Sequence, residues 1–164
     1  MSEDDTVFRI SVDIDAPPER VYEVMTDTAR WHEWTPSVTS ITRLDSGPFV
    51  VGSRAMIRQP KFPPALWTVT AIDGKRGFTW MNRAPGIKVT AHHSIATVGR
   101  VTRATLSLRY EGLLGGLLAR MTRAITNRYL QMEATGLKKR SENPYFRHVP
   151  GHGGTDAATV RARA

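Results

Sequence analysis

The residue with the most evident chemistry is His93, in the run Ala91-His92-His93-Ser94-Ile95. An imidazole at an inward strand position can act as acid or base near neutral pH, or orient a ligand carbonyl. The competing role is structural: a buried histidine hydrogen-bonded to sheet or helix, with no inward carboxylate standing out as its partner. Strand parity also turns Tyr110, Gln59 and Asn82 inward. A few such groups in apolar walls orient small molecules, or they satisfy backbone groups at strand ends. Tyr110 and Gln59 join His93 as candidates for proton transfer or enolate stabilisation. Trp34, Trp67 and Trp80 are flat surfaces suited to an aromatic or isoprenoid ligand, and serve equally as core. Met121, Ile125, Tyr129 and Met132 recur at helical spacing, as cavity wall or as plain packing.

Other chemistries lack their residues. The chain has no cysteine, which excludes thiolate nucleophiles, disulfides and Cys-based zinc sites. It has no H-E-x-x-H, phosphate-binding P-loop or dinucleotide G-x-G-x-x-G, so neither a metal nor another cofactor is expected. His32 and Glu33 are neighbours on a short helix and point different ways, a poor dyad. Gly151-His152-Gly153-Gly154 has the look of an oxyanion-hole loop, but no G-x-S-x-G accompanies it.

The elements that must position these residues follow from periodicity. Phe8, Ile10, Val12 and Ile14 alternate with Arg9, Ser11 and Asp13, the period of a half-buried strand. Asp15-Ala16-Pro17-Pro18-Glu19 supplies a cap candidate, prolines for a first turn and an early acid for a short helix with Val21, Val24 and Met25 inward. A second short helix, capped by Asp27 or Thr28, ends at Pro36. Between residues 38 and 111, turn signals such as Asp73-Gly74 and Ala84-Pro85-Gly86 separate six strands. Residues 38–44 do not alternate, so their faces stay open. Arg54 and Arg58 outside put Ala55, Ile57 and Gln59 inside; Lys88 and His92 outside put Val89, Ala91, His93 and Ile95 inside; Arg103 and Arg109 outside put Ala104, Leu106, Leu108 and Tyr110 inside. Trp67 with Val69, and Phe78 with Trp80 and Asn82, are expected inward too. The proline-rich stretch 59–64 is a gate at a pocket mouth or a stiff turn. From 113 to 141, Leu114, Leu118, Met121, Ile125, Tyr129, Met132 and Gly136 recur every three or four residues. They predict a helix roughly 40 Å long with this stripe against the sheet.

At 164 residues the chain suits one domain, assigned to 1–147, with the small and polar residues 148–164 as a disordered tail. Its net charge of +8 is uneven: residues 1–30 carry eight acids against three bases, and 31–164 seven acids against twenty bases. Lys138-Lys139-Arg140 suits a helix C-terminus, and the remaining bases are scattered without interleaved aromatics. A solvated basic face is therefore weighed above nucleic-acid binding. No apolar run approaches the roughly 20 residues of a membrane span, and the acidic start lacks the features of a secretory signal. A cytoplasmic protein, monomer or homodimer, is expected.

Strand, two short helices, six strands and one long helix assemble as an α+β helix-grip fold, a seven-stranded curved antiparallel sheet wrapped around the C-terminal helix. Here the chain resembles the START-like (Bet v 1-like) SRPBCC superfamily, in its polyketide cyclase/dehydrase and lipid-transport branch. The resemblance rests on Asp13-Ile14-Asp15-Ala16-Pro17-Pro18-Glu19-Arg20-Val21-Tyr22-Glu23-Val24 as the strand-to-helix entry and on Trp31-His32-Glu33-Trp34-Thr35-Pro36 as the second helix. Gln59-Pro60, Trp67-Thr68-Val69, Phe78-Thr79-Trp80, His93-Ser94-Ile95 and Glu133-Ala134-Thr135-Gly136-Leu137-Lys138 follow in order. It implies a deep cavity between sheet and long helix for a small hydrophobic or aromatic molecule. Three functions compete: binding or transport of such a ligand, a cyclase or dehydratase enzyme acting in the same cavity, and docking of the basic surface on RNA, ribosome or anionic lipid.

Overall fold

The structure, a computed structural model, describes residues 6–144; the expected tail lies outside them. The strands are β1 (Val7–Ile14), β2 (Ser40–Arg43), β3 (Arg54–Gln59), β4 (Phe62–Ile72), β5 (Gly77–Ala84), β6 (Ile87–Val98) and β7 (Val101–Glu111). They form one antiparallel sheet in the order β1-β7-β6-β5-β4-β3-β2. Helix α1 (Pro18–Thr26) and a 3-10 helix (Thr28–Glu33) connect the edge strands β1 and β2, and α2 (Gly115–Glu142) packs on β1 and β7. The fold is the helix-grip α+β arrangement, and none of its helices is long and apolar enough to cross a membrane.

Strand parity decides which side chains meet α2. Ala55, Ile57, Phe78, Trp80, Val89, Ala91, His93, Ile95, Ala104, Leu106 and Tyr110 are all buried, alternating with exposed Arg54, Arg58, His92, Arg103 and Arg109. The pleat gives this result directly, because one face rests on α2 and the other meets water. Pro63 and Pro64 fall inside β4 where the register slips between Ile57 and Gln59 of β3, the position a sheet allows for prolines. The stretch 59–64 is thus a tight hairpin, with Gln59 paired to Phe62.

Two local expectations differ. Asp15 does not cap α1: Pro17 holds the N-cap position, and the Asp15 amide donates instead to Glu142 Oε1 at 2.8 Å. The buried residues of α2 include Ala119, Thr126, Leu130, Ala134, Leu137 and Ser141, most of them one residue on from the apolar stripe, together with Tyr129 and Gly136 of the stripe itself. One residue is about 100° of helix rotation. The sheet's own large side chains occupy the concave space, so α2 approaches largely through small and hydroxylated residues, and Leu114 and Met121 of the stripe turn outward.

Gly136 marks the closest approach. A Cβ there would collide with the Trp34 carbonyl oxygen and lie 2.9 Å from the Trp34 indole Cε3. Alanine is the better helix former by about 1 kcal/mol, yet Gly136→Ala must push the Trp34 backbone away. We expect a net loss of about 1–2 kcal/mol in chemical denaturation, and a stabilised variant would contradict this packing.

The C-terminal turn of α2 is fastened to β1 by charge. Lys138 Nζ donates to the Asp13 carbonyl and to Glu142 Oε1, both at 2.6 Å. Burial pushes the Glu142 carboxyl up, but the Lys138 ammonium and the Asp15 amide together hold it below the usual range. The Arg103 hydrogen bond depresses Asp13, and the Arg54 amide and the Arg43 guanidinium depress Asp45. Folded values below unfolded ones mean stability that is present above the unfolded values and lost as pH falls through the folded ones. The melting temperature should therefore stay level from pH 7 to about 5 and drop below about pH 4; a rise on acidification would contradict the assignment.

Candidate functional site

The interior side chains converge on His93. Its ring stacks on Phe78 at 4.6 Å and 6°, with Trp31 at 5.4 Å and Trp80 edge-on at 5.9 Å. Phe78 and His93 sit opposite each other on β5 and β6, so the register itself builds the stack. The 3-10 helix delivers Trp31, whose indole N–H donates to the Met25 carbonyl at 3.2 Å, locking the ring over the sheet.

From the other side α2 brings Glu133. Its Oε1 lies 2.8 Å from His93 Nε2, and the two side chains are 14% and 5% exposed. With Glu133 as a carboxylate, which only accepts, and His93 as a neutral imidazole, Nε2 is the nitrogen that carries the proton and donates. The second ring nitrogen, Nδ1, is buried and has no hydrogen-bond partner, which leaves an acceptor in an aromatic enclosure. His93 and Glu133 share a cavity of about 60 Å³ with Trp31, Trp67, Trp80 and Leu130. The deep cavity implied by the resemblance is thus nearly filled, leaving room for only a few water molecules. The tryptophans and Leu130 fill it.

The sequence-derived residues divide between this cavity and other places. Gln59, Trp67, Trp80 and His93 line it together. Tyr110 does not: it pairs with Val89, four residues along β6 from His93, and its hydroxyl lies 3.1 Å from Thr126 Oγ1 in the second core cluster beside Phe8. Asn82 donates to the Leu66 carbonyl at 2.8 Å, holding β5 to β4. Trp34 faces a surface cleft of about 460 Å³ lined also by Arg20, Arg30, Arg43 and Arg140. This cleft is roomier than the interior cavity, but each arginine meets an acid: Glu23, Asp27, Asp45 and Glu33 respectively. Ile125 and Tyr129 line a third depression, an outer groove of about 400 Å³ with Pro36, Pro60, Lys61, Arg128 and Met132. Tyr129 is buried there under the edge of Phe62 at 5.8 Å, and burial raises its phenol pKa. Met121 is 75% exposed and lines no interior space.

Trp31 and Glu133 are the members that sequence reasoning missed. Trp31 and Trp34 lie three apart on one short helix, and nothing local says which one turns inward. Glu133 had a signal, because it falls between Leu130 and Leu137 in a run spaced by three and four. An acid in an apolar row opposite an inward histidine is a pair in waiting. Among the described residues no three His, Cys, Asp or Glu side chains converge as a metal site.

Comparison with known proteins places this geometry. Residues 5–142 match the family described as polyketide cyclase / dehydrase and lipid transport. No curated protein matches the chain. Among solved structures, a Thermus thermophilus protein is similar at 21% identity, covering 82% of this chain and 96% of its own, with a TM-score of 0.67. The Zhui aromatase/cyclase of a Streptomyces species is similar at 17% identity, 83% and 93% coverage and a TM-score of 0.67. A START superfamily protein of Mycobacterium smegmatis gives 15%, 82% and 97%, and 0.62. At these identities the likeness is one of fold.

Proposed function

The chain belongs to the polyketide cyclase/dehydrase and lipid transport family, and from that premise we propose that it binds a small aromatic or otherwise hydrophobic molecule carrying one hydroxyl or carbonyl group. The observation that carries this reading is the His93–Glu133 pair, a polar couple set among Trp31, Phe78 and Trp80. Apolar walls with one oriented polar centre are the general form of a small-molecule site. A ligand hydroxyl donates to His93 Nδ1, which has no protein partner. The cavity of about 60 Å³ must grow on binding, since sites for drug-sized ligands run to about 300–1,000 Å³. The hairpin joining β3 and β4 is the element to move, because it borders the cavity at Gln59 and rests on α2 through Phe62.

Calorimetric titration with 2-naphthol and with 2-methylnaphthalene, which replaces the hydroxyl by a methyl group, tests this reading. Binding of the naphthol about tenfold or more tighter supports it, because the unmatched analogue leaves Nδ1 unpaired. Equal affinity, or no binding of either, counts against it.

The same pair favours a second reading, an enzyme of the cyclase or dehydratase type. Nδ1 takes a proton from a bound substrate while Glu133 holds the Nε2–H tautomer and stabilises the imidazolium that forms. The cavity walls would fold the substrate chain and hold it against the imidazole. Tyr110, tied to Thr126, has no part in this step. Recovery of a chemically changed product from a polyketide-like substrate, abolished in His93→Phe, separates this reading from simple carriage.

A further inference from the structure

We propose that the N-terminal half of α2 and the turns around it form a docking surface for anionic phospholipid bilayers. The helix carries two apolar faces. One packs inward through Ala119, Leu130, Ala134 and Leu137. The other faces water: Leu117 and Met121 are 58% and 75% exposed, and Leu113, 98% exposed, and Leu114 extend it into the turn before the helix. These are four of the nine large apolar side chains exposed among the described residues, gathered within nine positions. A clustered apolar surface of this kind calls for a partner.

Charge chooses the partner. Residues 112–132 contain Arg120, Arg123 and Arg128 and no acid. The turns following β3 and β5 lie at the same end of the sheet as the start of α2; the first adds Lys61, and Arg83 stands at the end of β5 beside the second. The turn after β5 is held there by the Leu114 amide, which donates to the Gly86 carbonyl at 3.0 Å. Gly112 makes this close contact possible: its φ is +98°, and a Cβ would come within 2.5 Å of the Gly86 oxygen. Among the described residues the acid at this end, Glu111, is paired with Lys88 at 2.9 Å. Leucines and a methionine ringed by bases fit the boundary between anionic headgroups and acyl chains. A symmetric dimer would instead bring the arginines of one copy toward those of the other, at an electrostatic cost. The outer groove with Ile125, Met132 and Lys61 continues the same face toward the β3–β4 hairpin. The inference stands independently of what the interior cavity binds.

Sedimentation of the full chain with vesicles tests it, comparing phosphatidylcholine alone with phosphatidylcholine containing one third phosphatidylglycerol. The expected result is partitioning roughly tenfold or more stronger onto the anionic vesicles, weakening as salt is raised. The double variant Leu113→Asp and Leu117→Asp should lose that binding and keep the wild-type melting temperature, since both side chains lie in water. Arg120→Glu should weaken binding to the anionic vesicles alone. Three results would overturn the proposal: no pelleting with anionic vesicles, equal binding by wild type and the double variant, or a lipid-free dimer that the double variant dissolves, which would assign the patch to a second copy.

Discussion

Replacing Glu133 by Ala is expected to destabilise the protein by about 3 kcal/mol near neutral pH, with Glu133→Gln costing about 1 kcal/mol. The difference follows from the geometry. Alanine leaves the buried His93 Nε2–H without an acceptor, whereas the glutamine carbonyl can still accept from it across the 2.8 Å now spanned by the carboxylate. Because the two side chains touch, the effects of Glu133→Ala and His93→Ala should not add, and a double-mutant cycle in urea should return a coupling of about 1.5–3 kcal/mol. Additive losses would mean that the pair is incidental. Glu133→Gln also separates stability from function: it keeps the fold and should still lower affinity for 2-naphthol, because the neutral amide no longer polarises the imidazole that accepts the ligand hydroxyl.

Phe78→Ala is expected to cost about 3–5 kcal/mol, the range for a fully enclosed aromatic. Phe78 is 1% exposed and meets three rings at once: His93 at 4.6 Å, Phe49 at 4.9 Å and Trp80 at 5.4 Å. The surrounding strands are paired on both sides and cannot collapse into the space. Against a typical total of about 5–15 kcal/mol, such a loss brings the chain close to unfolding at ambient temperature. A shift in denaturation midpoint equivalent to less than about 1 kcal/mol would show that the aromatic cluster is not the centre of the core.

The sheet was legible because each strand has one dry face and one wet face, a pattern that arginines such as Arg54, Arg103 and Arg109 print on the sequence at a period of two. Helix α2 was legible as a helix and only in part in its rotation: Tyr129 and Gly136 of the expected stripe are buried, Leu114 and Met121 are exposed. Met121 is bulkier than Ala119, so periodicity alone favours a face turned about one residue from the one most deeply buried; how much room the sheet leaves is a property of tryptophans far away in sequence. Asn82 and Tyr110 face inward by parity, yet their hydrogen bonds to Leu66 and Thr126 depend on which backbone or side chain happens to lie opposite. The His93–Glu133 contact spans forty positions. Only the crossing of α2 over β6 brings its members together, so the sequence offers each residue and withholds the pair.

The most direct test of the central claim is a nuclear magnetic resonance titration of the full chain with 2-naphthol, following the His93 imidazole and the indole N–H signals of the four tryptophans. Binding at the interior pair predicts saturable shifts at His93, Trp31, Trp67 and Trp80, a much smaller response at Trp34 in its surface cleft, and contacts from the naphthol ring to the Leu130 methyl groups. Saturable shifts confined to Trp34 and the arginines around it, with His93 unmoved, would contradict it.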